Sequence, residues 1–367
     1  MGLSIGCCIM SKAQGIFLWI GIGGYILSER RDLLKNPYVY ISFLVTVILI
    51  SPIFFWNLSN HFITYSYHKG RIGFFGKKPN LNYLLQQVFG SAFYNNPVNF
   101  FLYILTGIGL YKSKIKFPSI YKLFLWLSLP LILVLLLMSF FNETLPHWSG
   151  PAYTSLLMLA GIYLDKTTRS GLFPSSLLAS GIVFLVVTVA GFLAINYFPF
   201  PIGSADKKNM GKGDITLDMT GWKDFSREFD SLYVTDIRSG LMKPAASIIS
   251  DYWFPAAHLD HYVAQPHQMN LLAIGPLQDI HHYAWLNTHR RQMKAGDDAY
   301  FIYPSNYYGP PKPSLTYCFE RTEDSVLFTQ YRSGKAVRNF VIYRLHGAIP
   351  KRLHQLFHDL GIRNPNR

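Results

Sequence analysis

Three groups of residues have types and spacings that suit chemistry. Lys12 is the single charge within the apolar stretch of residues 1–27. A charge inside a membrane-spanning helix costs about 2.5 to 3.5 kcal/mol on insertion scales, so such a lysine either serves a function or snorkels to the membrane surface. It precedes Glu29 by 17 residues, about 26 Å along a helix, which sets it near the far boundary of the membrane. The second group is the segment 56–78, WNLSNHFITYSYHKGRIGFFGKK, with Asn57, Asn60, His61 and Arg71. Amides, imidazoles and aromatic faces make a sugar-binding surface, and Arg and Lys suit phosphate. The same composition also makes an interfacial aromatic belt touching anionic lipid heads. The third is Glu143 in FNETLPHW, the only acidic residue between Pro37 and Leu164, beside His147 and Trp148. A lone carboxylate next to a histidine suits a general base; a structural partner of Lys12 or Arg71 is the alternative reading.

Other candidates carry less. His258 and His261 are three apart on a predicted helix, and His281, His282 and His289 follow. No carboxylate-histidine pattern completes a metal site, so a solvated helix face is expected and no metal. Cys7, Cys8 and Cys318 give neither a disulfide framework nor metal spacing.

The elements that must position these residues are mostly membrane helices. Half of the chain is hydrophobic and only 15% is charged, against about 25% in a soluble domain. The deficit is local: residues 1–200 hold 14 Lys/Arg and 4 Asp/Glu, residues 201–367 hold 20 and 16. About 20 apolar residues span the hydrocarbon core. Six spans are expected, near 1–27, 37–56, 97–111, 123–141, 148–164 and 171–200. The basic excess among them sets orientation and does not point to nucleic acid. Nine Lys/Arg (Arg30, Arg31, Lys35, Lys112, Lys114, Lys116, Lys122, Lys166, Arg169) fall on one side, and Lys69, Arg71, Lys77 and Lys78 on the other. The positive-inside rule makes the first side cytoplasmic. The segment 57–96, the loop 142–148 and everything after residue 200 are then extracytoplasmic, in a multi-pass protein of the cytoplasmic membrane. The N-terminus falls outside without a signal peptide, which leads to the expectation that helices are missing upstream or are encoded separately.

Residues 201–367 read as a soluble α/β domain. Short apolar runs at 215–219, 246–250, 269–274 and 299–303 alternate with helix-like stretches at 222–232, 252–264 and 277–294, the pattern of a parallel sheet. Runs at 316–320, 325–332 and 337–345 read as closing strands. No glycine-rich phosphate loop follows any strand, so no nucleotide and no cofactor is expected.

The opening residues Gly2, Gly6, Ser11 and Lys12 carry a resemblance. So do Pro52, Trp56, Asn57 and Asn60 with Phe62, Tyr65 and Tyr67, and then Glu143, His147 and Trp148. In the tail it is carried by Trp222, by Tyr252, Ala256, Ala257 and Tyr262, and by Gly-Asp-Asp-Ala-Tyr at 296–300. In this order they resemble bacterial membrane glycosyltransferases of the dolichyl-phosphate-mannose protein mannosyltransferase-like and aminoarabinose-transferase-like families. The resemblance implies a C-type glycosyltransferase fold that moves a sugar from a polyprenyl-phosphate carrier to an acceptor on the outer membrane face. Together with the residue chemistry of the 56–78 segment, it leads to lipid-phosphate contacts being expected from Lys12 and Arg71, and substrate contacts from Asn57, Asn60, His61 and Trp148. The family's catalytic acid lies in a first outer loop with no counterpart here, so the resemblance covers the C-terminal two thirds of such an enzyme and predicts weak activity for the chain alone. Glu143 and His147 are the remaining catalytic candidates. Expected partners are the lipid-linked sugar donor, membrane lipid and a separately encoded N-terminal portion. The competing readings are a non-catalytic membrane protein whose outer domain binds a ligand or partner, and a transporter, which should show repeats or paired broken helices.

Overall fold

The computed structural model describes residues 1–60, 62, 64–65, 77–112, 119–168, 173–306 and 308–361. They form two compact units, Met1–Thr188 and Val189–Arg367, so the division falls inside the last apolar helix.

The first unit is helical: α1 (Gly2–Ser11), α2 (Ile16–Glu29), α3 (Pro37–Ser59), α4 (Leu81–Tyr94), α5 (Pro97–Lys112), α6 (Ser119–Ser139), α7 (Gly150–Thr167) and α8 (Ser175–Tyr197), which runs on into the second unit. Among the described residues α3, α6 and α8 are long and apolar enough to cross a membrane. None of the apolar window of α8 is buried within the chain. A helix this apolar with its sides bare finds its solvent in lipid, and the protein is a membrane protein on that ground. Caps set the boundaries. The Asn36 side chain accepts the Tyr38 N–H at 3.0 Å, with Pro37 in the first turn of α3. Asn80 does the same for Asn82 N–H at 2.9 Å.

The expected single helix over residues 1–27 is two helices. Lys12 is extended (φ −158°, ψ 128°) and its N–H closes α1 on the Cys8 carbonyl; a 3-10 turn, Ala13–Gly15, leads into α2. Gly2 lies against Ser42 and Gly6 against Leu49, so α1 runs in the same direction as α3. Trp19 packs on Phe43 and donates to Thr46 Oγ1 at 3.2 Å, so α2 runs back the other way. The chain therefore reverses at Lys12. Gly15 makes the reversal fit, since a Cβ there would sit 2.7 Å from the Ile9 nitrogen. Uniform hydropathy hides such a hairpin, because both arms are apolar. A second difference is α4, which occupies part of what reads as an outer loop.

In the second unit, β1 (Ser247–Ser250), β2 (Leu271–Ala273) and β3 (Ala299–Pro304) are parallel in the order β2-β1-β3. The long β6 (Lys335–Ala348) pairs antiparallel with β3 on one edge. On its other edge it takes β4 (Phe319–Thr322) and β5 (Val326–Arg332) end to end. The sheet is thus mixed, not wholly parallel. The helix α9 (Trp222–Arg238) buries Trp222, Phe225 and Phe229 against Phe340 and Tyr300. Next come α10 (Trp253–Leu259), continued by a π-turn, then α11 (Leu277–Ile280), α12 (Tyr283–Leu286), α13 (Pro313–Thr316) and α14 (Pro350–Asp359). The run 215–219 is not a strand. Asp214 Oδ1 caps the Thr216 N–H, and the buried Arg338 takes the carbonyls of Leu217 at 2.8 Å and Thr220 at 2.5 Å. With those carbonyls spent, no ladder can form there.

Candidate functional site

Lys12 lies at the tip of the α1–α2 reversal and is exposed. It lines a cavity of about 320 Å³ with Cys7, Ser11, Gln14, Phe17, Leu131 and Pro151. Among the described residues no hydrogen-bond acceptor or carboxylate is paired with its ammonium. Phe17 also lines a second, almost wholly apolar cavity of about 620 Å³ between α2 and α6, which runs along Trp126, Leu129, Pro130 and Leu133 to Lys122. Lys122 at that end is bound to Glu29 at 2.6 Å. One ring therefore borders both the cavity with a cation and a long apolar groove.

Glu143 lines a separate cavity of about 500 Å³ with Lys77, Tyr83, Phe141, Asn142, Leu145 and Trp148. Its Oε1 accepts from Gln86 Nε2 at 3.2 Å, and no salt bridge to it occurs among the described residues. The wall behind is a buried polar chain. Thr144 Oγ1 donates to Gln87 Oε1 at 2.9 Å, Gln87 Nε2 reaches Ser91 Oγ at 3.3 Å, and Ser91 meets Ser149 at 3.4 Å. Each buried polar group is satisfied by the next, as a dry interior requires. Lys77 donates to Asn142 Oδ1 and Asn80 N–H to the Phe140 carbonyl at 2.7 Å, which anchors the segment before α4 to the end of α6.

No family model matches this chain, and neither a curated protein nor a solved structure matches it.

The sequence candidates are thus distributed. Lys12 and Glu143 sit in different cavities, and Trp148 lines only the second. It lines the Glu143 cavity and packs on the cluster of Leu131, Ala152 and Phe17, which also walls the Lys12 cavity. His147 lines neither; its ring lies 5.9 Å from that of Tyr94. Asn57 and Asn60 turn their amides inward on α3, donating to the carbonyls of Ile53 at 3.0 Å and Trp56 at 2.8 Å. His61 and Arg71 lie outside the described residues. Sequence reasoning missed Gln86, Gln87 and Ser91. The signal was there: Asn80 as a helix cap, followed by amides and a serine inside an otherwise apolar helix.

The histidines of the second unit are only partly a solvated face. His258 stacks flat on Trp222 at 4.5 Å, and burial pushes its pKa down, with Arg338 and His261 adding to the effect. His261 is exposed. No group of three or more His, Cys, Asp or Glu converges as a metal site among the described residues.

Proposed function

We propose that this membrane protein takes part in sugar transfer from a polyprenyl-phosphate carrier at the outer face of the cytoplasmic membrane. The observation that carries the reading is the helix reversal at Lys12. It leaves an ammonium that has no partner among the described residues beside one cavity, and Phe17 lines both that cavity and the apolar groove along α6. A phosphate held by Lys12 with its isoprenoid chain along α2 and α6 fits both parts. Binding such a headgroup also supplies the counter-charge that an ammonium near lipid needs.

In this reading α2, α3, α5, α6, α7 and α8 make six crossings in a C-type glycosyltransferase arrangement, and α1 is a half-helix that runs beside α3 from the level of Ser42 to the reversal at Lys12. The acceptor hydroxyl attacks the anomeric carbon, its proton passes to a base, and the bond from that carbon to the phosphate oxygen breaks. Lys12 stabilises the leaving phosphate. Glu143, in its separate cavity with Trp148, is the candidate base. Gln86 orients its carboxylate.

The test uses the full chain in nanodiscs. Undecaprenyl phosphate should bind, and Lys12→Ala should weaken binding at least about tenfold, roughly 1.4 kcal/mol. Turnover of a polyprenyl-phosphate-linked sugar should fall about 10²–10⁴-fold in Glu143→Gln, the usual cost of losing a general base. Equal binding by wild type and Lys12→Ala would remove the lipid site. Binding without turnover would leave the protein a lipid-binding membrane protein with an outer ligand-binding domain.

A further inference from the structure

The parallel part of the C-terminal sheet has a reversal of direction. From β1 the chain moves to β2 on one side, then returns past β1 to β3 on the other. Right-handed crossovers place the two connections on opposite faces. In open α/β sheets such a switch of direction forms a crevice at the carboxyl ends of the strands, where ligands settle.

The residues gathered there are unusual for a structural loop. Asp251, directly after β1, is buried with 7% of its surface exposed, and among the described residues its Oδ1 has no hydrogen-bond partner. Its charged neighbours are Asp279 from the connection after β2 and Lys312 from the loop after β3. Gly275 lets the two connections meet: a Cβ there would lie 2.6 Å from the Asp251 carbonyl oxygen. Tyr252 packs against Tyr308 with ring centroids 4.8 Å apart. Trp253 remains exposed at 36%, and one side of its indole is stacked by His281 at 5.0 Å. His281 holds φ 49° and ψ −126°, a conformation that favours glycine. Strain held in a side-chain-bearing residue clusters at ligand clamps, and here it brings an imidazole onto a half-exposed indole.

We propose that this crevice binds a saccharide, with a sugar ring laid on the exposed indole of Trp253 and its hydroxyls donating to Asp251 and Asp279. The chemistry selects the class. Two carboxylates against one lysine repel phosphates and acidic sugars. Metal binding lacks a third converging ligand among the described residues. A polyol brings a donor to Asp251, whose closed-off Oδ1 has to turn outward to meet it, and an apolar ring face for the tryptophan. Burial pushes the Asp251 pKa up to about 6, so above that pH the group is the acceptor this role needs. The inference stands without the transfer reading, because a non-catalytic protein could bind sugar here equally.

The experiment is ligand-observed NMR on the full chain in nanodiscs, with chitotriose and mannotriose as neutral probes and a galacturonic acid trimer as the acidic one. At least one neutral probe should bind saturably at millimolar concentration, and the acidic one should not. Trp253→Ala and Asp251→Asn should each weaken binding by about tenfold or more, while Lys12→Ala leaves it unchanged. Asp251→Asn removes a buried charge and so keeps the fold, which separates lost binding from lost structure. No binding of either neutral probe overturns the proposal. So does binding that survives Trp253→Ala, or that is abolished by Lys12→Ala, since the sugar would then sit in the membrane unit.

Discussion

Arg344 and Asp236 form a two-pronged ion pair inside the C-terminal unit, Nε to Oδ2 at 2.7 Å and Nη2 to Oδ1 at 2.9 Å. The Tyr300 hydroxyl adds a third donor to Oδ2 at 3.0 Å. The pair links α9 to β6, with β3 between them, and Asp236 is almost fully buried. Burial together with Asp236 pushes the tyrosine's pKa far up, burial being the larger cause. Removing one member of such a pair leaves a buried charge unpaired, which costs about 3–5 kcal/mol. Asp236→Ala should therefore unfold the C-terminal unit at much lower denaturant. A melting curve within error of wild type would show that the pair contributes nothing.

Asp251 gives a pH signature. Its folded pKa of about 6 stands above the ordinary 3.8. The folded state thus holds a proton that the unfolded state has lost, and stability falls as pH rises from about 4 to 6, then levels. The loss amounts to about 3 kcal/mol at most, from a shift of about two units. Asp251→Asn should flatten this slope and raise stability at neutral pH. Pulse proteolysis of the C-terminal unit across this range measures it; an unchanged slope would assign the dependence to other groups.

The packing of α2 on α6 turns on Gly21. A side chain there would press on the Trp126 carbonyl and come within 3.0 Å of the Leu127 Cα. Backbone cannot yield as a side chain can. Gly21→Val should destabilise the membrane unit by about 1–3 kcal/mol, the range for overpacking. Gly23, with nothing near it, should accept valine with little effect. Thermal aggregation in detergent compares the two, and equal melting would refute the contact.

Loop charge predicts orientation. Nine basic residues on one side against four on the other predict Leu34 in the cytoplasm and Asn209 outside. In a Cys7→Ser, Cys8→Ser background, a membrane-impermeant maleimide added to intact cells should label Asn209→Cys and spare Leu34→Cys. The reverse pattern would invert the topology and remove the outer-face sugar-transfer reading.

Composition and period were enough to find the long apolar helices and the β1, β2, β3, β5 and β6 segments, because burial in lipid or in a sheet core imposes a local apolar pattern. Trp222 opening α9 was legible for the same reason. Lys12 stood out as a lone charge, but its place at a reversal did not. Gly2 and Gly6 let α1 lie along α3, some 40 residues away, and Gly15 lets the chain turn back against Cys8 and Ile9. The run 215–219 has strand-like composition, yet Arg338, more than a hundred residues later, takes the Leu217 carbonyl inside it and the Thr220 carbonyl just beyond. The Gln86–Glu143 contact and the meeting of Asp251, Asp279 and Lys312 likewise come from separate elements. Local sequence determines which segments must leave water; only the tertiary structure decides which polar groups they carry together, since that is fixed by packing between distant parts of the chain.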